Sequence, residues 1–181
     1  MPLSAPVSAP TVSVPPGSGS LPLDRLLALR AAWRGEGRSV VFTNGVFDLL
    51  HVGHVRLLTA ARQFGDLLVA GLNADDSVRV LKGPDRPVVP AADRAVLVGA
   101  LRVVDHVVVF HDASAAPLVA ALRPDVYVKG EDYAGPRAGP FPEAEVVRGY
   151  GGVVRLVPLV PGRSTTATIA AVAGAVPAHP R

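Results

Sequence analysis

Five short apolar runs, each followed by a stretch with helical spacing, constrain this chain more than any other feature. They are "SVVFT" (39–43), "LLVAGL" (67–72), "HVVVF" (106–110), "DVYVKG" (125–130) and "VVRLVPL" (153–159). Their apolar character falls on both sides of the pleat, so each needs cover on two faces. A parallel sheet between two helical layers supplies that cover. Amphipathic segments at 51–65, 75–83, 91–102, 114–123, 142–152 and 165–174 follow or separate the runs, and another spans Leu21 to Trp33 before the first. Right-handed crossovers then give a doubly wound, Rossmann-like α/β fold with a five-stranded parallel sheet. Asp75 or Asp76 reads as the N-cap of the 75–83 helix, and Gly65 as the close of the 51–65 helix. Ligands of such folds sit beyond the C-terminal ends of the strands, where the strand order reverses.

With 181 residues, 49% of them hydrophobic, the chain is long enough for one well-filled core, expected over 21–176. Residues 1–20, uncharged and rich in Pro and Ser, read as a flexible tail, and 177–181 as a shorter one. "AGPRAGPFP" (134–142) reads as a mobile loop. The chain has no cysteine, which excludes disulfides, thiolate metal sites and cysteine nucleophiles. No apolar run has the length of a membrane span and no leader-like pattern opens the sequence, so the expected location is the cytoplasm, without a membrane partner. The net charge of +3 comes with no arginine run interleaved with aromatics. That suits a small anionic substrate and gives no support to nucleic acid as a partner.

Two of only five histidines, His51 and His54, stand three residues apart where the first strand gives way to a helix. At that spacing they share a helix face, in the first turn, where free backbone N–H groups gather. Gly53 between them leaves room for a close approach, and the whole reads as an anion site. Alone, the pair favours a plainer reading, two hydrogen-bonded structural histidines or helix capping, while a zinc site is disfavoured for want of a third ligand and of any cysteine. The preceding "TNG" (43–45) tilts the balance: its backbone N–H groups can face a phosphate. Asp48 closes that turn, either as an Asx-type cap or to orient a substrate hydroxyl or a metal-bound water. His106 and His111, flanking the third strand, read as structural.

"TNGVFDLLHVGH" resembles the signature of the cytidylyltransferase-like nucleotidyltransferases, whose HxGH motif contacts nucleoside triphosphate phosphates. "LKGPDRPV", "LRPDVYVKGEDY" and "GRSTT" extend the likeness over residues 22–173, and as a set they are similar to the adenylyltransferase domain that makes ADP-heptose from heptose 1-phosphate. The 181 residues are too few to hold also the kinase domain fused to it in some relatives. Val46 stands where many relatives have cysteine, and Glu131 where a second glycine is usual, next to where an acceptor would bind.

The resemblance implies an enzyme that transfers AMP from ATP to a sugar 1-phosphate, releasing pyrophosphate, with Mg2+ held mainly by nucleotide phosphates and with a homodimer as its assembly. A cytidylyltransferase acting on a polyol phosphate such as glycerol 3-phosphate, and a nucleotide-binding module without turnover, are the alternatives. His51, His54 and Lys82 would be catalytic. Thr43, Asn44, Gly45, Phe47, Gly53, His54, Lys129, Gly130, Asp132, Tyr133, Ser164, Thr165 and Thr166 would bind nucleotide, and Asp48, Asn73, Asp75, Lys82, Arg86 and Arg94 the acceptor. No side chain is expected to ligate a metal directly. Several of these have plainer readings. Lys82 and Arg86 sit in a flexible basic loop and can be solvated charge; Lys82 and Lys129 are the only lysines. Arg94 either clamps an anion or pairs on its own helix. Asp75 caps or lines the site. Ser164 or Thr165 caps the last helix. Lys129, ending a buried strand, requires a partner for its charge.

Overall fold

The computed structural model describes residues 19–133 and 141–175. The expected tails, apart from Gly19 and Ser20, and the 134–140 part of the expected loop lie outside those residues. The elements run α1 (Leu23–Gly35), β1 (Val40–Gly45), α2 (Val52–Arg62), β2 (Leu67–Asn73), α3 (Asp75–Lys82), α4 (Ala91–Gly99), β3 (His106–Phe110), α5 (Ala116–Leu122), β4 (Val126–Gly130), α6 (Pro142–Gly149), β5 (Val153–Val157) and α7 (Thr165–Ala175), with a single 3-10 turn at Glu131–Tyr133. The five strands form one parallel sheet in the order β3-β2-β1-β4-β5. No described helix is long and apolar enough to cross a membrane.

The sheet has a core on each face. Leu26 and Trp33 of α1, with Phe42, Val69, Leu118, Tyr127 and Val147, fill one; Val41, Leu58, Leu68, Leu72, Val98 and Val128 fill the other. Neighbouring strand residues such as Val41 and Phe42 thus go to opposite cores, as the two-sided apolar runs require. All seven residues of β2 are buried. His106 stacks on Trp33, with ring centroids 5.0 Å apart, and Nδ1 of His111 lies in hydrogen-bond contact with the Asp76 carboxylate at the surface, at 3.0 Å.

The sheet is not evenly sealed. β1 pairs with β2 along its whole length, but with β4 only at Val41↔Val126 and Phe42↔Tyr127. Past that point β1 and β4 part, and this is also where the chain's direction of winding reverses. The fork is the crevice that a doubly wound sheet offers a ligand.

Several expected helix ends move. His51 is the N-cap of α2 and not part of it, and Gln63, not Gly65, follows its last turn. Neither Asp75 nor Asp76 caps α3; the cap position is Ala74. Asp76 instead accepts from the N–H of Ser77, and Asp75 reaches across to α4, accepting from the N–H of Ala91 and from Arg94 at 2.7 Å. Arg94 is fully buried. Its guanidinium also donates to the carbonyls of Val46, Asn73 and Val89. Arg94 therefore clamps no ligand, and Asp75 lines no site: together they fasten α4 to the ends of β1 and β2.

Removing the guanidinium leaves three carbonyls without this donor and the Asp75 carboxylate without its counter-charge in a largely buried setting. Arg94→Met should lower the unfolding free energy by about 3–5 kcal/mol in urea titration, the range for breaking a buried ion pair from one side. A loss below about 1 kcal/mol would show that water replaces the arginine.

Candidate active site

A cleft of about 710 Å³ opens over the fork. The turn from β1 into α2 forms its floor. Phe47 and Leu49 both hold left-handed backbone, with φ of 51° and 46°, a strained choice for residues with side chains. Asp48 between them holds the turn in place. Its carboxylate, 1% exposed, accepts from the backbone of Val88 and Val89 and from Arg86, each at 2.9 Å. Its carbonyl accepts from the Thr165 hydroxyl at 2.8 Å. Burial opposes its ionisation, but the two N–H groups and the guanidinium outweigh that and hold the carboxyl below the usual carboxylate range.

The two histidines cap α2 themselves. Nδ1 of His51 accepts from the N–H of Gly53 at 3.1 Å, and Nδ1 of His54 from the N–H of His51 at 3.4 Å. A neutral ring that accepts at Nδ1 carries its proton on Nε2, so each ring keeps an Nε2–H donor that has no acceptor among the described residues. The rings stack with centroids 3.8 Å apart. A Cβ on Gly53 would stand 2.9 Å from the His51 ring. Glycine is needed there because the imidazole itself fills the space. Burial and then the nearby His51 push His54 down to about 4, against the pull of Asp48, and burial lowers His51 as well. Both rings are neutral donors at neutral pH.

On the far side of the fork, Lys129 spans the parted strands. Nζ donates to the carbonyl of Asn44 at 2.9 Å and lies 4.6 Å from the ring centroid of Tyr133. Burial pushes this ammonium down to about 8, with Glu143 and Asp132 opposing. Tyr127 donates to the Asn44 side chain at 2.6 Å, fixing the residue that accepts the lysine. A Cβ on Gly130 would stand 2.6 Å from side-chain atoms of both Asp132 and Leu159, which would have to move aside to admit it.

The cleft gathers most of the residues singled out in the sequence: Asn44, Gly45, Phe47, His51, Gly53, His54, Asn73, Lys82, Arg86, Lys129, Gly130, Asp132, Tyr133, Ser164, Thr165 and Thr166. Ser164 also caps α7, accepting from the N–H of Ala167 at 3.1 Å. Four residues do not line it. Thr43 is wholly buried, its hydroxyl without a partner among the described residues. Asp75 and Arg94 belong to the α4 fastening, and Asp48 acts behind the cleft wall. Arg86 is no free clamp on a flexible loop, since its guanidinium is engaged with Asp48 at 2.8 Å. Sequence reasoning missed Ser114, Glu143, Leu159 and Arg163, all of which line the cleft. Arg163 lay in the "GRSTT" run, where the hydroxyls drew the attention. The others carry no local pattern. Among the described residues no three His, Asp or Glu side chains converge on a metal-sized site.

A histidine-capped helix beside the fork of a five-stranded parallel sheet defines a domain of the nucleotidyltransferase class. Residues 42–165, well over half of the chain, match the cytidylyltransferase-like family, and the chain belongs to it. Similar proteins include the bifunctional protein HldE of Methylobacillus flagellatus, 51% identical over 144 residues, which are 80% of this chain and 29% of that one. The bifunctional protein HldE of Mesorhizobium japonicum is 55% identical over 139 residues, 77% of this chain and 27% of that one. The chain thus spans under a third of the length of these relatives. Among solved structures, the lipopolysaccharide core biosynthesis protein of Thermoplasma volcanium is 30% identical with a TM-score of 0.54, covering 68% of this chain and 98% of that one. A pantoate-beta-alanine ligase of Francisella tularensis, 13% identical with a TM-score of 0.56 over 80% of this chain and 67% of that one, shares the fold.

The capping geometry makes a direct spectroscopic statement. In a nitrogen-15 NMR titration His54 should show the Nε2–H tautomer and titrate near pH 4, not at the ordinary value near 6.5. An inflection at the ordinary value would mean that the ring is not held in the cap.

Proposed function

We propose that this domain transfers the adenylyl group of ATP to a sugar 1-phosphate, with D-glycero-D-manno-heptose 1-phosphate as the acceptor, forming ADP-heptose and pyrophosphate. The observation that carries the reading is the pair of neutral Nε2–H donors at the N-terminus of α2, opening into a cleft that also holds Lys129, Lys82 and Arg163. "LKGPDRPV" and "KGEDY" favour the heptose acceptor and ATP through their family likeness. The similarity to relatives named HldE and to a lipopolysaccharide core biosynthesis protein supports the same choice.

In this reaction an acceptor phosphate oxygen attacks the α-phosphorus of ATP. The new P–O bond forms as the bond to the bridging oxygen breaks, and pyrophosphate leaves with that electron pair. The nucleophile is already ionised at neutral pH, so the domain needs no general base. Its task is to hold two polyanions together and to stabilise charge at the α-phosphate. His51 and His54 donate from Nε2, with the positive ends of the α2 and α7 dipoles behind the phosphates. Neutral imidazoles suit this work because they donate without having to bind or lose a proton. Lys82, Lys129 and Arg163 supply positive charge. Magnesium fits as an ion carried by phosphate oxygens and water, since no cage of side chains faces the cleft among the described residues.

A matrix of ATP and CTP against heptose 1-phosphate, other sugar phosphates and glycerol 3-phosphate, read by pyrophosphate release, tests the assignment. Turnover should require ATP and the sugar 1-phosphate. Preference for CTP with a polyol phosphate would overturn it, and nucleotide binding without pyrophosphate release would mark a binding module. His54→Ala should lower turnover by about two to three orders of magnitude, the cost of losing one preorganised donor. Near-normal turnover would remove His54 from the mechanism. The Lys129 ammonium is charged below about pH 8 and neutral above it. Nucleotide affinity of the free enzyme should therefore weaken as pH rises from 7 to 9.5, and Lys129→Met should flatten that dependence.

A further inference from the structure

We propose that Glu143 selects the acceptor by accepting hydrogen bonds from its sugar hydroxyls, an inference that rests on the sugar-phosphate reading above. Glu143, the second residue of α6, is 7% exposed and lines the cleft. One carboxylate oxygen, Oε1, is spoken for: it accepts from the Ser114 hydroxyl and from the N–H of Ala115, both at 2.9 Å. Ser114 is fixed in turn by accepting from the N–H of Ala116 at 3.1 Å. The other oxygen, Oε2, makes no hydrogen bond among the described residues. That oxygen stands at the wall of the open cleft, where it can accept from water or from the donor groups of a ligand.

An anionic group is a poor neighbour for a phosphate, so Glu143 does not belong to the triphosphate. As a pure acceptor it suits neutral donors, and hydroxyls are the natural ones. The strand order separates two such regions. On the β4–β5 side the cleft is walled by Gly130, Tyr133, Leu159 and Val160, which suits a flat base. On the β2–β3 side it is walled by Asn73, which ends β2, and by Ser114, which follows β3. Glu143 stands between the two: Oε1 ties it to Ser114 and Ala115, while its charge also acts on Lys129 and Tyr133 at the end of β4. The β2–β3 side is polar, with Lys82 and Arg86 nearby in the same cleft, and suits a hydroxyl-rich molecule carrying a phosphate.

Glu143→Gln separates this role from simple scaffolding. Glutamine keeps a carbonyl oxygen for Ser114 and Ala115 but presents an NH2 donor where Oε2 stood. Sites built to hydrogen-bond a substrate hydroxyl discriminate strongly when the match is broken. The variant should raise KM for heptose 1-phosphate by about tenfold or more, with KM for ATP within twofold and the melting temperature unchanged. In addition, at least one monodeoxy analogue of the acceptor should be a much poorer substrate than heptose 1-phosphate for the wild type, and nearly its equal for Glu143→Gln. An unchanged acceptor KM overturns the assignment. So does a rise confined to ATP, which would put the nucleotide's ribose there, or a fall in melting temperature with both KM values raised, which would make Glu143 a mere tie between α5 and α6. A wild type that releases no pyrophosphate with any sugar phosphate would sink the underlying reading as well. An active wild type beside an indifferent variant would sink only the role of Glu143.

Discussion

The cleft depends on one buried anion. Asp48 joins three segments distant in sequence: its carboxylate holds the stretch from Arg86 to Val89, and its carbonyl holds Thr165 at the start of α7. It does so from a turn whose two flanking residues have left-handed backbone, a conformation that persists only where the surroundings dictate it. The turn carries His51 into its capping position, so the histidines are placed by a residue that does not itself line the cleft. Arg94 does comparable work one layer deeper, binding the carbonyl of Val46 in the same turn. The site thus stands on a buried acid and a buried base, each fully occupied by the protein.

The division of labour between charged and neutral groups follows from burial. Buried imidazoles stacked on each other do not take up a second proton at neutral pH, so they act as neutral Nε2–H dipoles with fixed direction. Lys129 is buried too, yet keeps its charge at neutral pH because the carboxylates of Glu143 and Asp132 offset the cost of burial, while the Asn44 carbonyl and the Tyr133 ring fix its direction. The parting of β1 and β4 creates that carbonyl's vacancy. A tighter ladder would have consumed the acceptor and closed the crevice at once.

Much of this was legible in the residues alone. The two-sided apolar runs specified a parallel sheet, because nothing else buries such strands on both faces, and the five strands stand where the runs lie. The cleft residues in "TNGVFDLLHVGH", "KGEDY" and "GRSTT" were legible because each run straddles a strand end or a helix start, where a doubly wound fold collects its ligand contacts. Asp75 and Arg94 misled for a physical reason: a charge near a strand end looks the same in sequence whether it faces solvent, a ligand or a partner nineteen residues away. Glu143 and Ser114 were invisible because they meet only through the packing of α6 on α5, which no local pattern encodes. Helix ends shifted for a similar reason, since His51 took a capping role that sequence rules assign to Ser, Thr, Asp or Asn.

That substitution of imidazole for the usual cap has a wider meaning. The ordinary choices include aspartate, and a capping box commonly ends in glutamate, so a conventional helix start often wears a negative charge. Here the first turn of α2 contains no acid at all, and the backbone is satisfied by aromatic nitrogen. The helix is terminated as firmly as usual while its positive pole stays electrically bare. Swapping in a stronger conventional cap would make a sturdier helix and a doorway that turns anions away.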